Sequence, residues 1–228
     1  HIDAVDSTSH MNGFTLTNGR STFGAGLYVK NSEMSFENLR VRLNQAVTLE
    51  DEIHSSGGGI FIGTDITFFP QVHMNNIIVS ENTSTQSGGG ISVEGYPNLY
   101  LSNSVIENNT TGSGGGLYMM SGSAILDSVI IKENYATFGG AVYTHSGGIP
   151  SWFVTENSQI INNNTQYYAL RVHGGLDMKN TLVSGNHASE ASGGIYHATS
   201  YSLILDNVTL TNNSDETYNQ SGIWIGGG

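Results

Sequence analysis

One short phrase recurs eight times along the 228 residues: a glycine or alanine, then an aliphatic residue, then side chains that alternate in character. Its first position falls at Gly26, Gly59, Gly90, Gly116, Ala141, Ala169, Gly194 and Gly222, followed by Leu27, Ile60, Ile91, Leu117, Val142, Leu170, Ile195 and Ile223. Self-similarity of this kind restricts the fold more than composition does. A repeated unit too small to bury its own apolar face must stack on its copies.

A second phrase fixes the geometry of the stack. An asparagine column runs Asn38, Asn76, Asn103, Asn157, Asn180 and Asn207, with Ser128 substituting once, and a second column six residues later runs Asn44, Asn82, Asn109, Asn134, Asn163, Asn186 and Asn213. Apolar residues stand two before and three after the first column, as at Leu101 and Ile106 around Asn103. Successive copies of the first column are 38, 27, 25, 29, 23 and 27 residues apart. A period near 25 with three short apolar segments predicts an all-β fold, a parallel β-helix of about eight rungs with three strands each, rising roughly 4.8 Å per rung. Leucine-rich repeats have a similar period but require leucines at fixed offsets and a helical segment, and neither is visible.

Alternation assigns faces. Leu117 and Met119 point inward, so Gly116 and Tyr118 are expected to point outward, the glycines leaving a bare floor. Asparagine tolerates left-handed backbone angles and stacks amide on amide, so both asparagine columns read as structural. The sequons at Asn82, Asn108, Asn109, Asn163, Asn207, Asn213 and Asn219 mostly coincide with those columns.

Composition narrows the function classes. A net charge of -12 repels nucleic acid and anionic membrane surfaces, so neither is an expected partner. There is no cysteine, hence no disulfide scaffold and no thiol nucleophile. No apolar run reaches the ~18 residues of a membrane span. The chain is expected to be a single β-helix domain over 1–228, an excerpt of a longer polypeptide whose flanking domains lie on both sides, since its coil enters abruptly near Met11 and stops at “GIWIGGG”.

The runs “GGGI”, “GGGL” and “GGAV” resemble the polymorphic outer-membrane protein repeats of autotransporter passenger domains, and residues 11–225 resemble the pectin-lyase-like right-handed β-helix superfamily, which implies a right-handed coil. The resemblance implies an exported, extracellular or cell-surface location. It also implies that the first-strand face is a polysaccharide groove. Lyases, hydrolases, adhesins and passive stalks all share this architecture, so function must be read from the site.

The outward column beside the repeated phrase reads Tyr28, Phe61, Ser92, Tyr118, Tyr143, Arg171, Tyr196 and Trp224. Such a stripe serves either as a platform for sugar rings or as cross-strand stacking within the sheet. Two insertions flank the second rung: Ala46 to Ser56, carrying Glu50, Asp51, Glu52 and His54, and Gly63 to Gln71, carrying Asp65, Phe68 and Phe69. A third enlarged loop runs from His145 to Trp152. Long loops on a rigid scaffold are where function concentrates.

Phe68 and Phe69 join the aromatic column as candidate ligand contacts, and Glu50, Asp51 and Glu52 are a candidate Ca²⁺ site, although three consecutive acids also read as a solvated tip. A lyase needs a base and a cation together, and Arg171 stands as the only cation on the first-strand face, about five rungs and more than ~20 Å from the loop at roughly 4.8 Å per rung. Glu94 is the nearest carboxylate to pair with Asp65 in a hydrolase. The histidines show no metal-binding spacing, and His197 falls on an inward position as a core residue. The favoured reading is an adhesin, passenger or stalk module with a surface glycan as partner and no cofactor beyond Ca²⁺; the alternative is a polysaccharide lyase or glycoside hydrolase at the second-rung insertions.

Overall fold

The computed structural model describes residues 1–49, 54–65, 69–145, 149–198, 200–217 and 222–226. All strand pairing is parallel, and each sheet grows by one strand per lap of the chain. Among the described residues the first sheet holds nine strands, from Ile2–Asp3 through Ile91–Glu94 and Leu117–Met120 to Ile223–Ile225, and three further sheets hold eight each. Eight laps are as expected; four strands per lap are not. The additional sheet follows the second asparagine column in strands such as Thr83–Ser84 and Tyr135–Phe138.

Inward positions alternate along the first two sheets and fill one continuous core. Ile60 and Ile62 lie over Ile91 and Val93, which lie over Leu117 and Met119, all at 1% exposure or less. Each such side chain contributes about 1.5–3 kcal/mol by leaving water. The third sheet supplies one inward residue per strand, in the column Val41, Val79, Ile106, Ile131, Ile160 and Val183.

The two asparagine columns do different work. The first sits at the corner between the second and third sheets in left-handed conformation, with φ of 55° at Asn38, 56° at Asn76, 50° at Asn103 and 58° at Ser128. The second is a buried amide ladder. Asn82 Nδ2 donates to Asn109 Oδ1 at 3.0 Å, Asn109 to Asn134 at 3.0 Å and Asn134 to Asn163 at 3.0 Å, while each Oδ1 also accepts the backbone N–H of the preceding ladder asparagine. The second Nδ2 proton goes to a carbonyl of the preceding rung, as from Asn109 to Val79 at 3.0 Å. From Asn44 to Asn186 each amide is therefore satisfied within the core, which is what a buried amide requires. The sequon asparagines Asn82, Asn109, Asn163 and Asn213 are ladder members and buried, whereas Asn108 and Asn207 are exposed.

The glycine column is not bare floor. A Cβ on Gly116 would lie 2.8 Å from Ile131 Cγ2 and 3.2 Å from Asn134 Nδ2, and one on Gly90 would lie 3.0 Å from both Ile106 Cγ2 and Asn109 Nδ2. These glycines face inward, against the ladder. Strand alternation does not extend back through the bend that precedes the first sheet, so the expected outward direction fails there. His197 is inward as expected, 1% exposed, with Nε2 2.9 Å from the Gly174 carbonyl.

Candidate functional site

Register places the outward column as the alternation requires: Tyr28, Phe61, Ser92, Tyr118, Tyr143, Arg171, Tyr196 and Trp224 are partners in unbroken succession. The rings form three stacked pairs instead of one stripe. Tyr28 stacks on Phe61 at 5.2 Å, Tyr118 on Tyr143 at 5.7 Å, and Tyr196 on Trp224 at 4.5 Å. Ser92 and Arg171 separate the pairs. Exposure is also uneven, because Phe61 and Tyr118 are buried at 8% and 6%.

The reason is a neighbouring column three residues before most of the repeated glycines. Phe23, Ser56, Ser87, Ser113, Phe138 and Tyr167 stack in register along the corner between the fourth and first sheets. Its serines leave room for the rings of the middle rungs to lie against the corner. Its aromatics wall the ends. Burial raises the Tyr118 phenol to about 12, with the charge of Glu94 adding to the effect, so Tyr118 stays neutral.

At the N-terminal end of this corner lies a cleft of about 380 Å³. Phe23 meets Phe61 edge-on at 5.3 Å, and Tyr28 stacks on the same ring. Each insertion supplies one polar group, Asp65 or His54, which meets a residue at the end of a first-sheet strand, Lys30 or Glu94. Lys30 Nζ is 2.6 Å from Asp65 Oδ2, and His54 Nε2 is 3.8 Å from Glu94 Oε1. Lys30, Gly63 and Glu94 are successive register partners, so glycine spaces the two ion pairs apart on the sheet. The cation that Arg171 alone was expected to supply is thus present here as Lys30. Asp65 and Glu94 line the same cleft, as their sequence positions suggested, but each is paired to a base and not to the other.

Among the described residues Glu94 is the most embedded charge, at 9% exposure. Ser92 Oγ donates to its Oε1 at 2.8 Å, and Ser56 Oγ donates to Ser92 Oγ at 2.7 Å. Burial pushes its carboxyl up, yet His54, Ser56 and Ser92 together outweigh that and hold it below its ordinary value. The His54 imidazole is shifted up, chiefly by Glu94, and its Nδ1 is 2.8 Å from Gln86 Oε1.

Of the remaining candidates, Phe69 is exposed and packs against Tyr96 at 5.8 Å, near the end of the second insertion. Glu50, Asp51, Glu52 and Phe68 lie outside the described residues, and so does the middle of the third enlarged loop, whose Trp152 stands on the strand Ser151–Glu156. Among the described residues no cluster of three acidic or histidine side chains could hold a metal.

A coil of parallel strands with stacked asparagines and this first-sheet corner agrees with the family model described as the right handed beta helix region, which matches residues 4–177. The chain belongs to the right-handed β-helix family. No curated protein and no solved structure gives a match to this β-helix. No helix among the described residues of the β-helix is long and apolar enough to cross a membrane.

The His54–Glu94 pair gives the β-helix a pH signature. The raised His54 value means its contribution to stability is complete below the unfolded value near 6.5 and is lost as pH rises through the folded value. The lowered Glu94 value means the converse: its contribution is complete above 4.5 and is lost as pH falls. The melting gap between the parent chain and His54→Gln should therefore be widest between these values and shrink on both sides. With the partial exposure of His54, about 2–4 °C is expected at the maximum. A gap that grows steadily above pH 7 would contradict the assignment.

Proposed function

We propose that this β-helix is an exported, cell-surface adhesin or passenger module that binds glycan along the outward corner of its first sheet, with the cleft at Phe61 as the principal contact. One observation carries the reading: the stacked Tyr28–Phe61 pair and Phe23 share a cleft with the Lys30–Asp65 and His54–Glu94 pairs. A pyranose presents an apolar C–H face and a rim of hydroxyls, so it needs an aromatic surface bordered by oriented charges and amides. The extended solenoid suits a surface-displayed stalk, and the acidic net charge leaves polyanions without a general attraction.

The test is a glycan array followed by calorimetry with the best ligand. Tyr28→Ala and Lys30→Ala are each expected to weaken binding by about tenfold or more, equivalent to at least ~1.4 kcal/mol. Unchanged affinity in both would remove the cleft from the interaction. The measurements should be made with and without Ca²⁺, because the acidic run 50–52 ends two residues before His54 in the chain.

A second reading, cleavage of the bound polysaccharide, is favoured by the presence of two carboxylates, Glu94 and Asp65, on one cleft. Incubating the array hits with the chain and following new reducing or unsaturated ends separates the two. Turnover abolished by Glu94→Gln would make the chain an enzyme.

A further inference from the structure

Of the seven lysines and arginines in the chain, four stand in ion pairs: Lys30 with Asp65, Arg42 with Glu81, Lys132 with Glu107 and Lys179 with Glu156. Among the described residues the other three have no carboxylate within 4 Å. Arg20 and Arg40 are exposed and solvated, but Arg171 is partly buried. A guanidinium drawn out of water without a counter-charge is costly, and a structure that keeps one has arranged something else around it.

What surrounds Arg171 is aromatic. Its guanidinium carbon lies 5.1 Å from the Tyr143 ring centre, 5.4 Å from Phe138, and 5.9 Å from both Tyr168 and Tyr196. Tyr143 and Tyr196 are its register neighbours on either side, while Phe138 belongs to the corner column. Cation–π attraction offsets part of the desolvation. It leaves the hydrogen-bonding capacity of the fork unused, because ring faces accept no strong N–H bond.

Only one of the five guanidinium N–H groups is committed. Arg171 Nε donates to His173 Nε2 at 3.0 Å. That bond requires His173 to be neutral with its proton on Nδ1, which agrees with its lowered pKa, caused first by burial and then by Arg171. The imidazole so fixes the rotation of the guanidinium about its own plane. The four N–H groups of the two Nη atoms have no partner among the described residues, and two parallel N–H groups are the geometry that a carboxylate accepts in bidentate fashion.

We propose that Arg171 is the anchor of a second subsite on the first sheet, selective for a carboxylate-bearing sugar. The carboxylate takes the Nη fork, the sugar ring lies on the rings that border Arg171, and the neutral His173 positions the fork. This rests on the reading of the first sheet as a glycan-binding face. It adds that the face recognises an acidic residue about four rungs, or roughly 19 Å, from the Phe61 cleft. The chain has no other partly buried, unpaired cation among its described residues, so charge selectivity is concentrated at this one point.

The experiment compares three probes on the whole chain: an oligouronate, its methyl ester, and a sulfated oligosaccharide of equal length. The parent chain should bind the oligouronate at least about tenfold more tightly than the ester. Arg171→Met should abolish that preference, and Arg171→Lys should keep only part of it, since an ammonium lacks the fork. Equal binding of acid and ester, or a preference that survives Arg171→Met, overturns the proposal. A sulfated probe that binds as well as the oligouronate overturns the carboxylate assignment.

Melting curves of both variants establish that they fold, and Arg171→Gln serves as a polar substitute should the methionine variant fail. The two sites are separable in the same data set. Loss of acid preference with Tyr28-dependent binding intact sinks only the Arg171 site. Acid-selective binding indifferent to Tyr28→Ala and Lys30→Ala sinks only the Phe61 cleft. No binding of any glycan by the parent chain sinks both.

Discussion

Asn109→Ala is expected to destabilise the fold by about 3–5 kcal/mol, while Asn108→Ala, one residue earlier, costs only about 1 kcal/mol. The contrast follows from what each amide touches. Asn109 is fully buried, and its Oδ1 accepts both the Asn82 backbone N–H at 2.9 Å and the Asn82 side-chain N–H at 3.0 Å. Alanine leaves both donors in the core without an acceptor, each at about 1–3 kcal/mol, and removes the amide that the Val79 carbonyl accepts. Asn108 is exposed at φ 54°, so alanine loses only the local polar contacts by which asparagine tolerates the left-handed region, while the Cβ strain is the same in both. Asn108→Gly should be milder still.

Urea denaturation of the three variants measures the differences, with the slope checked because stacked repeats can unfold in stages. Should Asn109→Ala and Asn108→Ala prove equally mild, the ladder would be a decoration on a core held by its aliphatics alone.

How much of this was legible depended on side-chain size and on which direction a pattern was extended. The aliphatic positions Leu117, Leu101 and Ile106 are large and recur at fixed offsets, so three sheets could be read directly. The fourth sheet turns Ala46, Ser84, Thr111, Ala136, Thr165 and Ala188 inward. Residues that small give no hydrophobic alternation, and several of its strands are only two residues long.

The site divides in the same way. The insertions around Phe61 could be located by length, since chain that exceeds the rung must leave the coil. Partner choice could not. Asp65 meets Lys30 and Glu94 meets His54 because of which residues share a rung and corner, information carried by register and not by spacing. The corner column was readable in principle: Phe23, Ser56, Ser87, Ser113 and Phe138 each stand three residues before the repeated glycine or alanine. Its mixture of serine and aromatic hides it from any search for apolar recurrence.

Gly115→Ala should cost about 3 kcal/mol or more, at the severe end of overpacking, while Gly222→Ala should be close to neutral. The three glycines of “GGG” serve separate needs. Gly114 adopts φ 68°, a conformation a side chain resists. Gly116 faces the core and the amide ladder. Gly115 faces the adjacent rung, where an added Cβ would lie 2.8 Å from the Tyr135 carbonyl oxygen and 2.9 Å from its carbon, and closer still to the Gly140 carbonyl. Those are backbone atoms, unable to rotate aside as a side chain would.

Relief therefore requires the rungs to separate where Gly115 N donates to Gly139 O at 3.0 Å and Gly116 N donates to Gly140 O at 3.2 Å. A Cβ on Gly222 would meet nothing within 4 Å among the described residues. Thermal melts of the two variants decide the matter, and a Gly115→Ala chain that melts with Gly222→Ala would mean the rungs tolerate wider spacing. Tolerance of that kind would also loosen the register that aligns Ser92 with Phe61 and Tyr118. The cleft and the Arg171 site both depend on that register, so the glycine triplet governs the binding face as well as the coil.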